Sequence, residues 1–328
     1  MTRWYNVYAV RTANKLSGFL RMLTFTPNIP EKAKVVQGLM SGIEDKCQGK
    51  FFCFYQNQNA NEEIDRKTVM TVRSVLKEMK PVEHLTVLVD SPGGDADAAF
   101  HLVRTLRQHA KSLEVIVTNW AKSGATLVCL GADKILMGKD AELGPLDAQL
   151  RDPSGSAIPL SALNAFKSLE YLQRYTLDTL NLAIILMLKK SRMDIPYAIQ
   201  QSLPFVSCIA TPLYQQVEPK ELGEARRHLS VAEEYGDRIM SRYGYSGVPK
   251  QKIREIVNKL VWEYPSHSFV IDALEAKQLG LNIEALDDER NDLCDELLTT
   301  VKGCIGCITV KTKPSPRNKP DDESEKGK

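Results

Sequence analysis

Residues 85–149, LTVLVDSPGGDADAAFHLVRTLRQHAKSLEVIVTNWAKSGATLVCLGADKILMGKDAELGPLDAQ, decide how the chain folds and where its chemistry sits. Leu85 to Val89 is a short apolar, β-branched run of the kind buried in a parallel sheet. It stops at a turn, because Pro92-Gly93-Gly94 cannot continue a strand. Two glycines let the backbone take left-handed angles and approach a ligand with no Cβ in the way, which frees N–H groups for an anion. Asp95 has the chemistry of an N-cap, and Ala98, Ala99, Leu102, Val103 and Leu106 follow at helical spacing. A second strand, Leu113 to Thr118, leads through residues 119–122 into Ser123-Gly-Ala-Thr-Leu-Val-Cys-Leu, small and apolar nearly all round as a buried helix is.

A serine in the first turn of that helix meets unpaired N–H groups and the positive end of the helix dipole, both of which favour a developing negative charge. An ordinary N-cap serine would stand in the same place. The double-glycine loop one βα unit upstream is what points to chemistry, since consecutive parallel strands bring their C-terminal ends side by side. A carbonyl held there meets Ser123 Oγ on one side and two backbone donors, the N–H groups of Gly94 and Gly124, on the other. That requires the hydroxyl and the glycine amides to lie within about 10 Å of one another. Leu143-Gly-Pro145-Leu-Asp147 forms a corner that walls the site.

The motifs Asp90-Ser-Pro-Gly-Gly-Asp95, Ala121-Lys-Ser-Gly-Ala-Thr126, Gly131-Ala-Asp-Lys-Ile135, Met137-Gly-Lys139 and Leu143-Gly-Pro-Leu-Asp-Ala-Gln149 stand in an order and spacing that resembles the serine dehydrogenase proteinase family. This is a branch of the Clp protease and crotonase superfamily related to signal peptide peptidase A. The resemblance covers residues 48–150, and Tyr264 to Asp272 is similar to a later block of the same family. It implies an α/β fold of Clp/crotonase type, a superhelix of repeated ββα and βαβ units with a mainly parallel sheet and a helical C-terminal part. It also implies an ATP-independent serine peptidase with Ser123 as nucleophile, an oxyanion loop at Gly93, Gly94 and Gly124 with Pro145 beside it, no cofactor or metal, and a homo-oligomer acting on peptide or protein substrates.

The resemblance implies a Ser-Lys dyad with Lys167 as base, and His267 is the alternative. Asp147 lies 24 positions after Ser123, close to where Clp proteases carry a histidine, so their triad is not carried over. The related peptidase A branch uses a Ser-Lys dyad, in which a desolvated lysine takes the serine proton. Lys167, 44 positions after Ser123 in a helical stretch, is in the region where that branch supplies its base, and His267 in the later block is the other candidate. Lys122 adjoins the nucleophile but is expected to point elsewhere, because neighbouring helix residues do not share a face.

Working outward, Lys50 to Tyr55 reads as the first strand, residues 62–79 as an amphipathic helix and Lys134 to Met137 as a further strand, completing βαβ units with parallel strands. Residues 1–47 are expected to form a helical cap or arm, 48–150 the catalytic core, 151–285 a helical cover and oligomerisation region broken at Pro196, Pro204, Pro212 and Pro219, and 286–328 a tail, disordered from about 311. Gly280 reads as the stop of a short helix over 273–279.

The 43 basic and 41 acidic residues nearly cancel, which excludes a general affinity for nucleic acid or an anionic membrane. No apolar run approaches the roughly 20 residues needed to span a bilayer. Seven irregularly placed cysteines and no secretory signal fit a reducing, cytoplasmic setting. Cys304 and Cys307 have CxxC spacing without a second pair to complete a metal site. Two other function classes use the same scaffold: an acyl-coenzyme A enzyme with Asp147 or Glu142 as its carboxylate, and a non-catalytic assembly or sensing module.

Overall fold

The computed structural model of the chain describes residues 23–24, 29–57, 62–78, 81–147, 149–150, 160–192, 194–302 and 305–310. In chain order its elements begin with β1 (Leu23–Thr24), α1 (Ile29–Lys46), β2 (Lys50–Tyr55), α2 (Arg66–Glu78), β3 (Val82–Asp90), α3 (Ala96–His109), β4 (Ala110–Val117), β5 (Trp120–Ala121), α4 (Gly124–Leu130), β6 (Lys134–Met137) and β7 (Glu142–Leu143). They continue with β8 (Gln149–Leu150), β9 (Leu160–Ser161), α5 (Ala162–Ser191), α6 (Ile195–Tyr214), α7 (Pro219–Arg242), α8 (Lys250–Asn258) running into a π-helical turn (Lys259–Glu263), α9 (Ala273–Leu279), β10 (Ile283–Ala285), α10 (Asp288–Val301) and β11 (Ile305–Val310).

Seven strands form the main sheet in the order β1-β11-β2-β3-β4-β6-β10. The pairs from β2 through β10 are parallel, and β11 alone runs against the rest, pairing antiparallel with β2 on one side and β1 on the other. The reason is legible in the strands: Phe51 to Tyr55, Leu85 to Val89 and Leu113, Val115, Ile116 and Val117 are buried, as a sheet covered on both faces requires. One core packs α2, α3, α4, α7 and α8 on the face presented by Phe52, Phe54, Val87, Val89 and Val115. A second packs α1 and α10 against Phe51, Cys53, Leu88 and Ile116 on the other face. Truncating a fully buried leucine such as Leu88 to alanine is expected to cost about 2–5 kcal/mol.

Helix signals behave as chemistry dictates. Asp95 caps α3 by accepting the Ala98 amide at 2.8 Å, and Gly280 ends α9 in a left-handed conformation at φ 101°. Pro196 and Pro219 stand in the first turns of α6 and α7, where a missing N–H costs nothing. Pro204 and Pro212, expected as breaks, instead lie inside α6. The packing of Ala198, Ser202 and Val206 outweighs a local penalty of about 3 kcal/mol per proline.

Helices α5 and α6 form a hairpin in which little else is buried. Tyr171, Leu177, Leu182, Leu203 and Phe205 are exposed, and residues 195–217 contain no charged side chain. Residues 286–328, read from sequence as a tail, supply α10 and β11. Cys294, Leu297, Leu298 and Val301 of α10 are buried beside Val36, Met40 and Ile43 of α1, and β11 pairs with β2. The disorder expected beyond residue 311 and Cys304 lie outside the described residues, as does most of the expected N-terminal arm. Among the described residues no helix is long and apolar enough to cross a membrane.

Candidate active site

The C-terminal ends of β3 and β4 are stitched together before either loop begins. Ser91 donates its amide to Trp120 O at 3.2 Å, and Lys122 donates its amide to Ser91 O at 3.1 Å. The Asp90 carboxylate accepts the Trp120 indole N–H at 2.7 Å and the Asn119 amide at 2.9 Å. Burial pushes the pKa of Asp90 up, with these two donors opposing the rise. Ser91 Oγ donates to Gln56 Oε1 at 2.6 Å and accepts the Gly93 amide at 3.0 Å. A buried hydroxyl and a buried amide thus set the path of the loop.

Both glycines of that loop are needed. Gly93 has φ 95° and Gly94 φ 145°, angles that L side chains rarely adopt. A Cβ on Gly93 would meet Lys122 O at 2.3 Å, and one on Gly94 would meet Ile64 N and O at 2.5 Å. Their amides have different fates. Gly93 gives its N–H to Ser91, which takes it out of the expected oxyanion set. Among the described residues no acceptor takes the amides of Gly94 or Gly124.

Ser123 occupies the N-cap position of α4 yet makes no capping bond with its side chain. The ordinary reason for a serine there is therefore absent. Its backbone is at φ 50°, ψ −119°, and Ala125 donates to Lys122 O at 2.8 Å. These are the marks of a type II′ turn with a serine where glycine is preferred. Strain of this kind costs about 1–3 kcal/mol and persists where the surroundings over-determine it. A Cβ on Gly93 would stand 2.8 Å from both Ser123 Cβ and the Gly124 amide nitrogen, and one on Gly124 would stand 3.2 Å from the Gly94 amide nitrogen. The serine and the two free amides thus border one small volume, well inside the expected 10 Å.

The corner from Leu143 to Asp147 is bolted beside the Ser123 turn. Gly144 donates its amide to Ala121 O at 2.9 Å, and Thr126 Oγ1 lies 2.8 Å from both Ala121 O and Gly144 O. Pro145 is buried in this corner. Leu143 and Ile271 exchange both backbone hydrogen bonds, at 2.9 and 3.0 Å, which draws residues 264–271 alongside. His267 comes with them, and its Nδ1 is hydrogen-bonded to Asp147 Oδ1. Asp147 is fully buried. Its other oxygen accepts the Ser161 hydroxyl at 2.7 Å, and that hydroxyl accepts the Asn164 amide to cap α5. The Tyr264 and Phe269 rings, 4.9 Å apart, close the base of the His267 loop.

Lys167 lies on α5 with its ammonium 3.5 Å from the Tyr264 carbonyl, close to the His267 loop but directed at backbone. Sequence reading missed Gln56, Thr126 and Ser161. Only Thr126, inside the Ala121–Thr126 motif, carried a signal that could have marked it. Among the described residues no group of three or more His, Cys, Asp or Glu is placed to hold a metal.

Residues 56–179 match the family model of the ClpP-like SDH-type serine proteinases. Two uncharacterized proteins of Methanocaldococcus jannaschii are similar over the same kind of length. One is 38% identical over 88 residues, 27% of this chain and 29% of the relative; the other is 31% identical over 86 residues, 26% and 28%. The chain therefore spans under a third of the length of the curated relatives it matches. Solved structures of ClpP1 from Listeria monocytogenes and of a point mutant of it align with TM-scores of 0.37 and 0.38. Both are 14% identical and cover 77% and 78% of this chain and 98% and 99% of theirs. The matched stretch, residues 56–179, contains the strained Ser123, the double-glycine loop and Asp147, and over that stretch the chain is similar to the ClpP-like SDH-type serine proteinases.

Proposed function

We propose that the protein is a serine peptidase that works through an acyl-enzyme on Ser123, with His267 as general base and Asp147 as its buried partner. The observation that carries the reading is the hydrogen bond between His267 Nδ1 and a carboxylate shielded from solvent. An Nδ1–H donated to Asp147 leaves Nε2 as the basic nitrogen and stabilises the imidazolium that forms when it takes a proton.

In the first half-reaction Ser123 Oγ adds to the peptide carbonyl as its proton passes to His267. The Gly94 and Gly124 amides hold the oxyanion, and the imidazolium then protonates the departing amine. Water repeats the sequence on the ester and releases the acid. The Gly94 and Gly124 donors are part of the backbone and are fixed by strained turns, so they need no reorganisation at the moment of reaction.

Lys167 is less suited to the task. An ammonium aimed at a carbonyl is a donor already in use. The acyl-coenzyme A alternative is disfavoured because Asp147 is committed on both oxygens and Glu142 is ion-paired with Lys122 at 2.8 Å. We also infer a homo-oligomer, supported by the exposed apolar residues and uncharged α6 of the hairpin. Hydrolysis of a mixture of unstructured peptides, followed by mass spectrometry, tests the activity. Cleavage by wild type and none by Ser123→Ala supports it; equal cleavage by both overturns it.

A further inference from the structure

Lys122 is the residue that the proposed chemistry leaves unused, and its environment is unusual. Its side chain is only 8% exposed, in a position where lysines are seldom found unless paired. Its ammonium meets three acceptors: Glu142 Oε1 at 2.8 Å, Phe269 O at 3.3 Å and Leu143 O at 3.4 Å. An ammonium has three N–H donors, so the set is complete. The stem lies across Gly144, where a Cβ would stand 2.5 Å from Lys122 Cδ. Room for the lysine is thus built into the corner.

The acceptors are distributed in a telling way. Lys122 precedes the nucleophile, Glu142 and Leu143 lead into the corner that ends at Asp147, and Phe269 lies two residues after His267. Among the described residues no other side chain in the site ties all three segments together. Ser161 ties Asp147 to the start of α5, and Thr126 ties the corner to the Ser123 turn.

We propose that Lys122 is a positioning residue: its buried ammonium fixes the distance between the Ser123 turn and the His267–Asp147 pair. This inference rests on the serine peptidase reading. Lys122 touches no reacting atom, and its effect is on alignment. A misplacement of about 1 Å between reacting groups costs roughly 100-fold in rate.

The test is the kinetics of a serine-directed fluorophosphonate on the full chain, which separates probe binding (KI) from phosphonylation (kinact). Lys122→Met keeps the stem beside Gly144 and removes the charge. Its kinact is expected to fall by roughly 100-fold with KI within about 3-fold of wild type. Leu297→Ala, in the core on the opposite face of the sheet, serves as a control for general destabilisation and should label at the wild-type rate. If Lys122→Met does not fold, Glu142→Ala is read in its place; it removes the only charged acceptor and is expected to lower kinact by about 10-fold.

A wild-type kinact in the variant read, or a slowing equal to that of Leu297→Ala, overturns the inference while leaving the serine reading intact. Wild-type protein that is not labelled at Ser123 overturns both.

Discussion

His267 and Asp147 stand 120 positions apart in the chain and meet through one hydrogen bond, from the imidazole Nδ1 to a carboxylate with no solvent exposure. In the proposed mechanism the pair gives Ser123 a base of fixed orientation. Asp147→Asn keeps the shape but can offer its amide N–H where an acceptor is needed, which favours the wrong tautomer of the ring. Phosphonylation of Ser123 is expected to slow by roughly 10³–10⁴-fold. Ser161→Ala, which removes a neutral donor from the other oxygen, should slow it by about 10-fold or less. Equal rates in wild type and Asp147→Asn would contradict this role.

Ser123 carries backbone strain that an alanine keeps and a glycine relieves. Ser123→Gly and Ser123→Ala should both lack activity, yet the glycine variant is expected to melt roughly 2–4 °C higher, the equivalent of about 1 kcal/mol in a chain of this size. Differential scanning calorimetry of the two variants checks it. Equal melting temperatures would mean that the turn is unstrained.

The fold was largely legible because its signals are local. Lys50 to Tyr55 and Lys134 to Met137 read as strands and form β2 and β6 with those bounds. Asp95 and Gly280 act as cap and stop for reasons contained within four residues of each. The pairing of His267 with Asp147 is different in kind. Nothing in Tyr264-Pro-Ser-His names a partner, and the contact exists only because Leu143 and Ile271 bridge two distant segments. The same holds for the three acceptors around Lys122, two of which are backbone carbonyls without any residue signature. Helix α10 shows apolar positions at 294, 297, 298 and 301, a helical period, but the family motifs end before it and composition alone made the region read as a tail. Pro204 and Pro212 were misleading because local propensity was overruled by packing against α5.

Asp133 gives a pH signature to stability away from the site. Burial pushes its carboxyl up, but hydrogen bonds from the Arg107 guanidinium and the Leu113 amide, with the arginine's charge, outweigh that and hold it below the ordinary carboxylate value. A depressed pKa in the folded state contributes stability above the unfolded value of about 3.9, and the contribution is lost as pH falls through the folded value. Asp133→Asn is therefore expected to lower Tm by a few degrees at pH 7 and by progressively less below about pH 4. Melting curves of both proteins between pH 3 and 8 measure the gap. A gap that stays constant across that range contradicts the assignment.

The α5–α6 hairpin exposes Leu182 at 58% and Leu203 at 49%, a surface expected to be covered by another copy of the chain. Leu182→Asp combined with Leu203→Asp should reduce the assembly to smaller species, because two charges at the core of such a contact cost several kcal/mol. Light scattering after gel filtration reads the mass. An unchanged mass would place the subunit contact elsewhere.

The central claim is that Ser123 is an activated nucleophile whose base is His267. Intact-mass and peptide-level mass spectrometry of the chain treated with a fluorophosphonate tests it most directly. The expected result is a single adduct on Ser123 in wild type, retained at a comparable rate in Lys167→Met and slowed by roughly 10³-fold or more in His267→Gln. Rapid labelling of His267→Gln together with loss of labelling in Lys167→Met would contradict it and make the lysine the base.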